Sequence, residues 1–342
     1  MKNQPNENNM DSRMQRRSAN QQGPKQPKQH GTRRWHPWRW FWGIIILLLL
    51  VIVGFGAVAY HNINSATSKA YKSAGITKAR DTKAVLNSKK PISILFLGTD
   101  TGALGRSYKG RTDTIMIATI NPQTKKMLLV SLPRDTMTDI AGYPDESPAK
   151  INAAYAYGGV GTTIKTVQNL LNVPIDYYAL LNMGGLEKAI NEVGGVTVTS
   201  PLSFSYEGST FEKGQTYHMN GATALKFSRM RYDDPQGDYG RQTRQRLVVE
   251  ALFRKSIAVQ TVLNSSFLNS ISSQSQTDLT NSDLVKLAQN YRSATKNISS
   301  DHMQGQGQMI NGQSFEVVGH SEKQRVTNEL RTSLDLSAKT DE

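Results

Sequence analysis

The residues best suited to chemistry lie between Phe227 and Arg246, in the run FSRMRYDDPQGDYGRQTRQR. It gathers Arg229, Arg231, Arg241, Arg244 and Arg246 around Asp233, Asp234 and Asp238, with Pro235, Gly237 and Gly240 interrupting regular structure. An arginine stays charged at any working pH and presents a flat fork of donors, so several converging forks suit a multiply charged oxyanion such as a pyrophosphate. A solvated charge run at a helix start is the plainer reading of the same residues. The remaining charged positions of the chain favour the first.

Three short apolar runs deliver those positions. ISILFLGTD, Ile92 to Asp100, reads as a strand buried on both faces that ends at Asp100. RTDTIMIATI brings Arg111 and Asp113 immediately before a second strand, Thr114 to Ile120, and MLLVSLPRDT carries Arg134 and Asp135 past a third, Met127 to Leu132. Pro133 stops that strand, because proline cannot donate to a ladder. Ligands of open α/β sheets bind at strand ends, and three successive elements place charge there. Asp100 and Asp113 together form a candidate seat for Mg²⁺, a hard cation content with one or two carboxylates. The alternatives are a turn or N-cap role for Asp100 and a simple pairing of Asp113 with Arg111.

Downstream, KINAAYAYGG, Lys150 to Gly159, predicts a helix closing at the paired glycines, and GTTIKTVQNLLN a second one up to Asn172. The fragment GGVGTT lacks the Gly-Lys-Ser/Thr ending of a phosphate loop and reads as a turn between helices. A strand over 176–182, a helix over 185–193 and a strand over 196–199 follow. Asn220 caps a helix that runs into the arginine cluster, and a long helix from Arg241 to about Ile257 turns its positive N-terminal end toward the same place. Thr280 caps a later helix, Met309 to Val318 forms a hairpin about Asn311-Gly312, and a last helix covers about 322–336. The pattern predicts an α/β fold, an α-β-α sandwich with a mixed central sheet flanked by helices.

The front of the chain is of another kind. Net charge is +14, and half of it belongs to residues 1–40, which hold nine Lys or Arg against two acids. That segment has almost nothing apolar before Trp35 and is expected to be a disordered basic tail. Residues 41–60 carry no charge over 20 positions, enough to cross ~30 Å of hydrocarbon. All four tryptophans stand at the front edge of this run, a favoured place for amphipathic rings. The basic tail is expected to stay cytoplasmic, which puts the rest outside a single-pass type II membrane anchor. Ala57-Val58-Ala59 would also fit a cleaved signal peptide, but the long leading region and the length of the apolar run favour retention. Residues 61–91 read as an extracellular stalk, 92–336 as the folded domain and 337–342 as a disordered tail.

The absence of cysteine removes thiol catalysis, Cys-ligated zinc and disulfides. None of the six histidines lies in a nucleophile or metal motif. A nucleic-acid partner is not expected, because the domain is placed outside the cell and its basic loops lack interleaved aromatics.

The motifs ILFLGTD, RTDTIMIATI, LLVSLPRDT, KINAAYAYGG, ALKFSRMRY and DYGRQTRQR, in this order behind one apolar helix, resemble the LytR-CpsA-Psr family of Gram-positive cell-envelope proteins. The resemblance spans about residues 92–255. It implies a phosphotransferase that moves an anionic glycopolymer, teichoic acid or capsular polysaccharide, from an undecaprenyl-pyrophosphate carrier in the membrane lipid to peptidoglycan; the alternative is a non-catalytic polyprenyl-pyrophosphate-binding membrane protein with a regulatory role. It further implies Mg²⁺ on Asp100 and Asp113, and a pyrophosphate grip by Arg134, Arg229, Arg231 and Arg241 with Gln245 beside them. Asp238 and Lys150 match supporting positions, and Arg111 and Arg244 are further candidates for substrate contact. Asp238 could take the acceptor's hydroxyl proton or orient the arginines that surround it. The polyprenyl chain is expected in an apolar slot between the sheet and its covering helices.

Overall fold

The computed structural model describes residues 69–99, 110–256 and 272–339. The basic tail, the apolar run 41–60, Asp100 and the segment 340–342 lie outside the described residues.

Six strands form the central sheet, in the order β11-β6-β1-β2-β3-β12. They are β1 (Ile92–Thr99), β2 (Thr112–Asn121), β3 (Lys126–Ser131), β6 (Tyr177–Asn182), β11 (Ser275–Thr277) and β12 (Ile298–His302). β1 runs parallel to β6 and β3 parallel to β12, while β2 is antiparallel to both β1 and β3. The sheet is mixed, as expected, and its three central strands are apolar on both faces because both are covered. On one face α2 (Ala153–Leu171) and α7 (His320–Ser333) pack through Ile164, Val167, Val326 and Leu330 onto Leu95, Leu97, Ile117 and Val130. On the other, α1 (Thr82–Asn87), α5 (Asp238–Ser256) and α6 (Asn281–Asn290) cover Ile92, Ile94, Ala118 and Leu129. Alternate residues of one strand therefore serve two cores.

A smaller lobe joins α5 on its outer side. It contains α3 (Met183–Glu192), the pair β7 (Val196–Thr199) and β10 (Thr216–Met219), the hairpin β8 (Phe204–Tyr206) and β9 (Ser209–Phe211), and α4 (Gly221–Arg229), closed around Phe204, Phe211 and Phe227. The strands between 204 and 219 are short and were not foreseen from their mixed composition. Two more two-stranded ribbons stand near the sheet's end: β4 (Met137–Thr138) with β5 (Ala149–Lys150), and β13 (Gln306–Ile310) with β14 (Gln313–Val317). The second is the hairpin expected about Asn311-Gly312.

Two expectations are corrected. Lys150 does not open a helix: it lies on β5, and the helical stretch α2 begins at Ala153. At Gly159 the backbone leaves helical geometry, with φ +75° and ψ −157°, a conformation glycine adopts without strain, so the first helix closes at the paired glycines as expected and a second runs on to Leu171. The stretch 61–91 is also less a stalk than expected. Its second half is bound into the domain, since Arg80 donates through Nε and Nη2 to the fully buried Asp176 and Lys78 pairs with Asp278.

Candidate active site

β1, β3, β6 and β12 all end at one edge of the sheet, where β2 begins, and the charged residues converge there. The β1–β2 register shifts between Gly98 and Thr99, so that Thr112 and Thr114 have partners and Asp113 between them has none. This is a bulge, a device that re-aims a side chain at a strand end. Asp113 Oδ1 accepts from Arg134 Nη1, which β3 delivers beyond Pro133; it is not paired with Arg111, which is exposed. Arg134 Nε lies 3.6 Å from Asp135 Oδ2 and 3.9 Å from Asp238 Oδ1. Lys150 Nζ reaches Asp135 Oδ1 at 2.9 Å and stands 6.0 Å from the centre of the Phe315 ring. Arg241, one turn into α5, closes the group: its Nη2 is 2.7 Å from Asp238 Oδ1 and 3.5 Å from the Asp113 carbonyl.

Lys150, Arg134 and Arg241 thus alternate with Asp135, Asp113 and Asp238. Burial opposes the charge on Arg134, but Asp113, Asp238 and Asp135 outweigh it and raise its pKa. Arg241 goes the other way. Burial, with repulsion from Arg134 and Arg231, lowers its pKa despite Asp238 and Asp113. Several polar atoms around the cluster are buried without a hydrogen-bond partner: Arg134 Nε, Arg241 Nε, Asp238 Oδ1, Gln242 Oε1 and Gln245 Oε1. Asp238 Oδ1 is among them although Arg241 Nη2 is close, because the two are not aligned for a hydrogen bond. Buried polar groups are paired in the great majority of cases, so a concentration of unpaired ones marks a place built for a polar ligand.

The other sequence candidates divide. Arg231 is exposed yet close enough to Arg241 for its charge to be felt there. Arg229, at the end of α4, pairs with Glu207 at 3.6 Å, on the turn between β8 and β9. Gln245 is half-buried on α5. Arg244 is corrected as a substrate contact. It has no exposed surface, and its donors are used inside the fold: Nε donates to Phe227 O at 3.0 Å, Nη2 to Met230 O and Nη1 to Asp234. A group without accessible surface shapes the site from behind. Gly240 makes that arrangement possible, since a Cβ there would fall 1.9 Å from Asp234 Oδ2.

Asp135 and Gln242 join the cluster although they were not candidates. Gln242 Nε2 donates to Asp238 Oδ2 at 3.1 Å from one helical turn away, and that spacing was the available signal. Tyr239 adds support by donating to Glu316 Oε1 at 2.5 Å and accepting from Gly305 N at 2.8 Å, which fastens the β13–β14 hairpin to the start of α5. For a divalent cation, Asp113 offers a hard carboxylate oxygen on a side chain that remains 30% exposed, which fits Mg²⁺.

Comparison with known proteins adds an independent line. The LytR_cpsA_psr family model matches residues 57–332. A polyisoprenyl-teichoic acid--peptidoglycan teichoic acid transferase TagU of Enterococcus faecalis is 42% identical over 294 residues, covering 86% of this chain and 95% of that protein. The TagU of Bacillus subtilis is 35% identical over 296 residues, covering 85% and 95%. Among solved structures, TagT bound to LI-WTA superposes with a TM-score of 0.61 at 26% identity, covering 76% of this chain and 95% of that one.

Proposed function

The chain belongs to the LytR_cpsA_psr family, and from that premise we propose that it is a phosphotransferase moving an anionic cell-wall glycopolymer from a polyprenyl-pyrophosphate carrier to peptidoglycan. The observation that carries this reading is the alternating Arg134–Asp113 and Arg241–Asp238 cluster, with its unpaired buried donors, at the ligand-binding edge of the sheet.

The residues divide the work by chemistry. Arg134 and Arg241 hold the diphosphate oxygens from inside, and Arg229, at the end of α4, and Arg231 just beyond it do so from the outer side. The acceptor sugar hydroxyl attacks the phosphorus that bears the glycopolymer. The new P–O bond forms as the anhydride bond to the carrier breaks, and polyprenyl phosphate leaves with the electron pair. Phosphoryl transfer of this kind depends on alignment and charge neutralisation more than on a strong base. Asp238, flanked by Arg134 and Arg241, orients both guanidinium groups, and in this reading it also receives the hydroxyl proton. Mg²⁺ on Asp113 and Asp100 would supply further positive charge to the phosphate oxygens. Lys150 holds Asp135, which steadies Arg134. The carrier's apolar chain lies along the sheet face beneath α5 and α6, where Phe96, Val249, Phe253, Leu284 and Leu287 are only partly buried. Residues 41–60 anchor the chain as a single-pass type II protein with this domain outside the cell.

The test is transfer by the full chain in lipid vesicles, supplied with a polyprenyl-pyrophosphate-linked glycopolymer, Mg²⁺ and peptidoglycan. The expected result is polymer bound covalently to peptidoglycan and one polyprenyl phosphate released per polymer. Thermal protection by the donor without any release would make the protein a binder and overturn the proposal.

A further inference from the structure

One stripe of α5 changes character along its length. Asp238, Gln242 and Arg246 follow one another at four-residue spacing, and Val249 and Phe253 continue toward the apolar core, where the Phe253 ring meets Phe96 edge-on at 5.3 Å. Arg246 stands where the polar part gives way to the apolar part. It is 6% exposed, and its Nη2 donates to Thr243 Oγ1 at 2.9 Å. Its Nε and Nη1 are buried with no hydrogen-bond partner among the described residues.

Nor does any described carboxylate form an ion pair with it. Asp301 and Glu250 draw on its charge from a distance, but Asp301 is already paired with Arg325, and Glu250 lies 4.0 Å from Arg254. Burial of this guanidinium pushes its pKa down, the response of a charge taken from water without a counter-ion. Buried charges persist when paired, and the described chain offers this one a neutral hydroxyl but no counter-ion within ion-pair distance. An amphiphile laid along the stripe, diphosphate toward Asp238 and tail toward Phe253, brings an anion to that point.

We propose that Arg246 binds the lipid-side phosphate of a polyprenyl-pyrophosphate ligand, at the junction of headgroup and tail, as a contact additional to the Arg134 and Arg241 cluster. The inference rests on the carrier named in the proposed function. It is tested on the full chain in detergent micelles by calorimetric titration with geranylgeranyl pyrophosphate, geranylgeranyl monophosphate and inorganic pyrophosphate. Arg246→Met is expected to weaken both lipid phosphates about ten- to hundredfold, the loss expected for a charged hydrogen-bond donor. Inorganic pyrophosphate, which has no tail to set its register, is expected to change less. The melting temperature without ligand should stay level or rise, because an uncompensated buried charge has been replaced by an apolar side chain of similar volume. Binding of the lipid phosphates within twofold of the unmodified chain would overturn the inference, as would a fall of several degrees in melting temperature with the affinities intact. Should Arg246→Met not fold, Arg246→Lys is read the same way. It keeps the charge without the fork, so weakened lipid-phosphate binding supports the contact and unchanged binding refutes it. If the unmodified chain binds no lipid pyrophosphate, the proposed function fails, and the two failures are thereby distinguished.

Discussion

Gly240→Ala sets two effects against each other. In an ordinary helix interior, replacing glycine by alanine stabilises by roughly 0.5–1 kcal/mol. Here the new Cβ would lie 1.9 Å from Asp234 Oδ2 and 2.2 Å from its Cγ, so the carboxylate must leave. Asp234 is the only carboxylate paired with Arg244 among the described residues, and their side chains are 4% and 0% exposed. Breaking a buried ion pair from one side costs about 3–5 kcal/mol. Arg244 keeps the Phe227 and Met230 carbonyls, which argues for the low end. The net effect is then a destabilisation of about 2–3 kcal/mol, or roughly 5–10 °C in melting temperature for a domain of this size. Thermal unfolding of the full chain in detergent measures it, and a double-mutant cycle sharpens it. With Asp234→Ala already present the clash is gone, so adding Gly240→Ala should raise stability by about 0.5–1 kcal/mol. The same substitution therefore changes sign with its background. A Gly240→Ala single variant as stable as the unmodified chain, or additive costs in the double variant, would refute the reasoning.

Arg134→Lys should lower the transfer rate by about 100-fold or more, a loss typical for one donor aimed at developing charge. A point charge cannot reach Asp113 and also approach Asp135 and Asp238 as the fork does. Steady-state kinetics test this, and a rate within threefold of normal would count against the assigned grip. Hydrogen bonds from Arg325 hold the Glu322 carboxyl below its usual range. A depressed carboxyl stabilises the fold fully above its unfolded value, here 4.5, and that contribution is lost as pH falls through the lowered value. Arg325→Gln should therefore flatten the fall in melting temperature between about pH 5 and pH 3. An unchanged slope would show that the pair contributes nothing to acid stability.

The strands around the site were legible because β1, β2 and β3 are continuous apolar runs, a pattern that short helices do not share. Their boundaries shifted by a residue or two. The convergence of Asp113, Arg134 and Arg241 was also readable, since strand-end charges and a helix start are local signals. Pairing was not. Nothing in the spelling of the chain distinguishes Arg244, turned inward onto Asp234, from Arg241, turned toward Asp113; two arginines three residues apart on a helix differ only in what the tertiary packing brings against each. Lys150 was misplaced because INAAYAY has strong helix propensity, while its immediate neighbours are drawn into a ribbon with Met137 and Thr138. The Phe204–Phe211 hairpin escaped because its strands are three residues long, too short to show a period. Gln242 was visible only as a spacing from Asp238.

The segment just ahead of α1 has a role that extends to the molecule's behaviour in solution. Tyr71 forms an isolated parallel bridge to Thr277 on β11, and Lys72 N donates to Thr277 O at 2.8 Å. Among the described residues β11 is the outermost strand on that side of the sheet, and it is only three residues long. An uncovered border strand is a template for pairing with another chain, and a short strand already engaged from outside offers little of one. A fragment beginning beyond Lys72 would leave Thr277 open. Such a fragment should self-associate at concentrations where the longer chain stays dispersed, so the choice of first residue governs solubility.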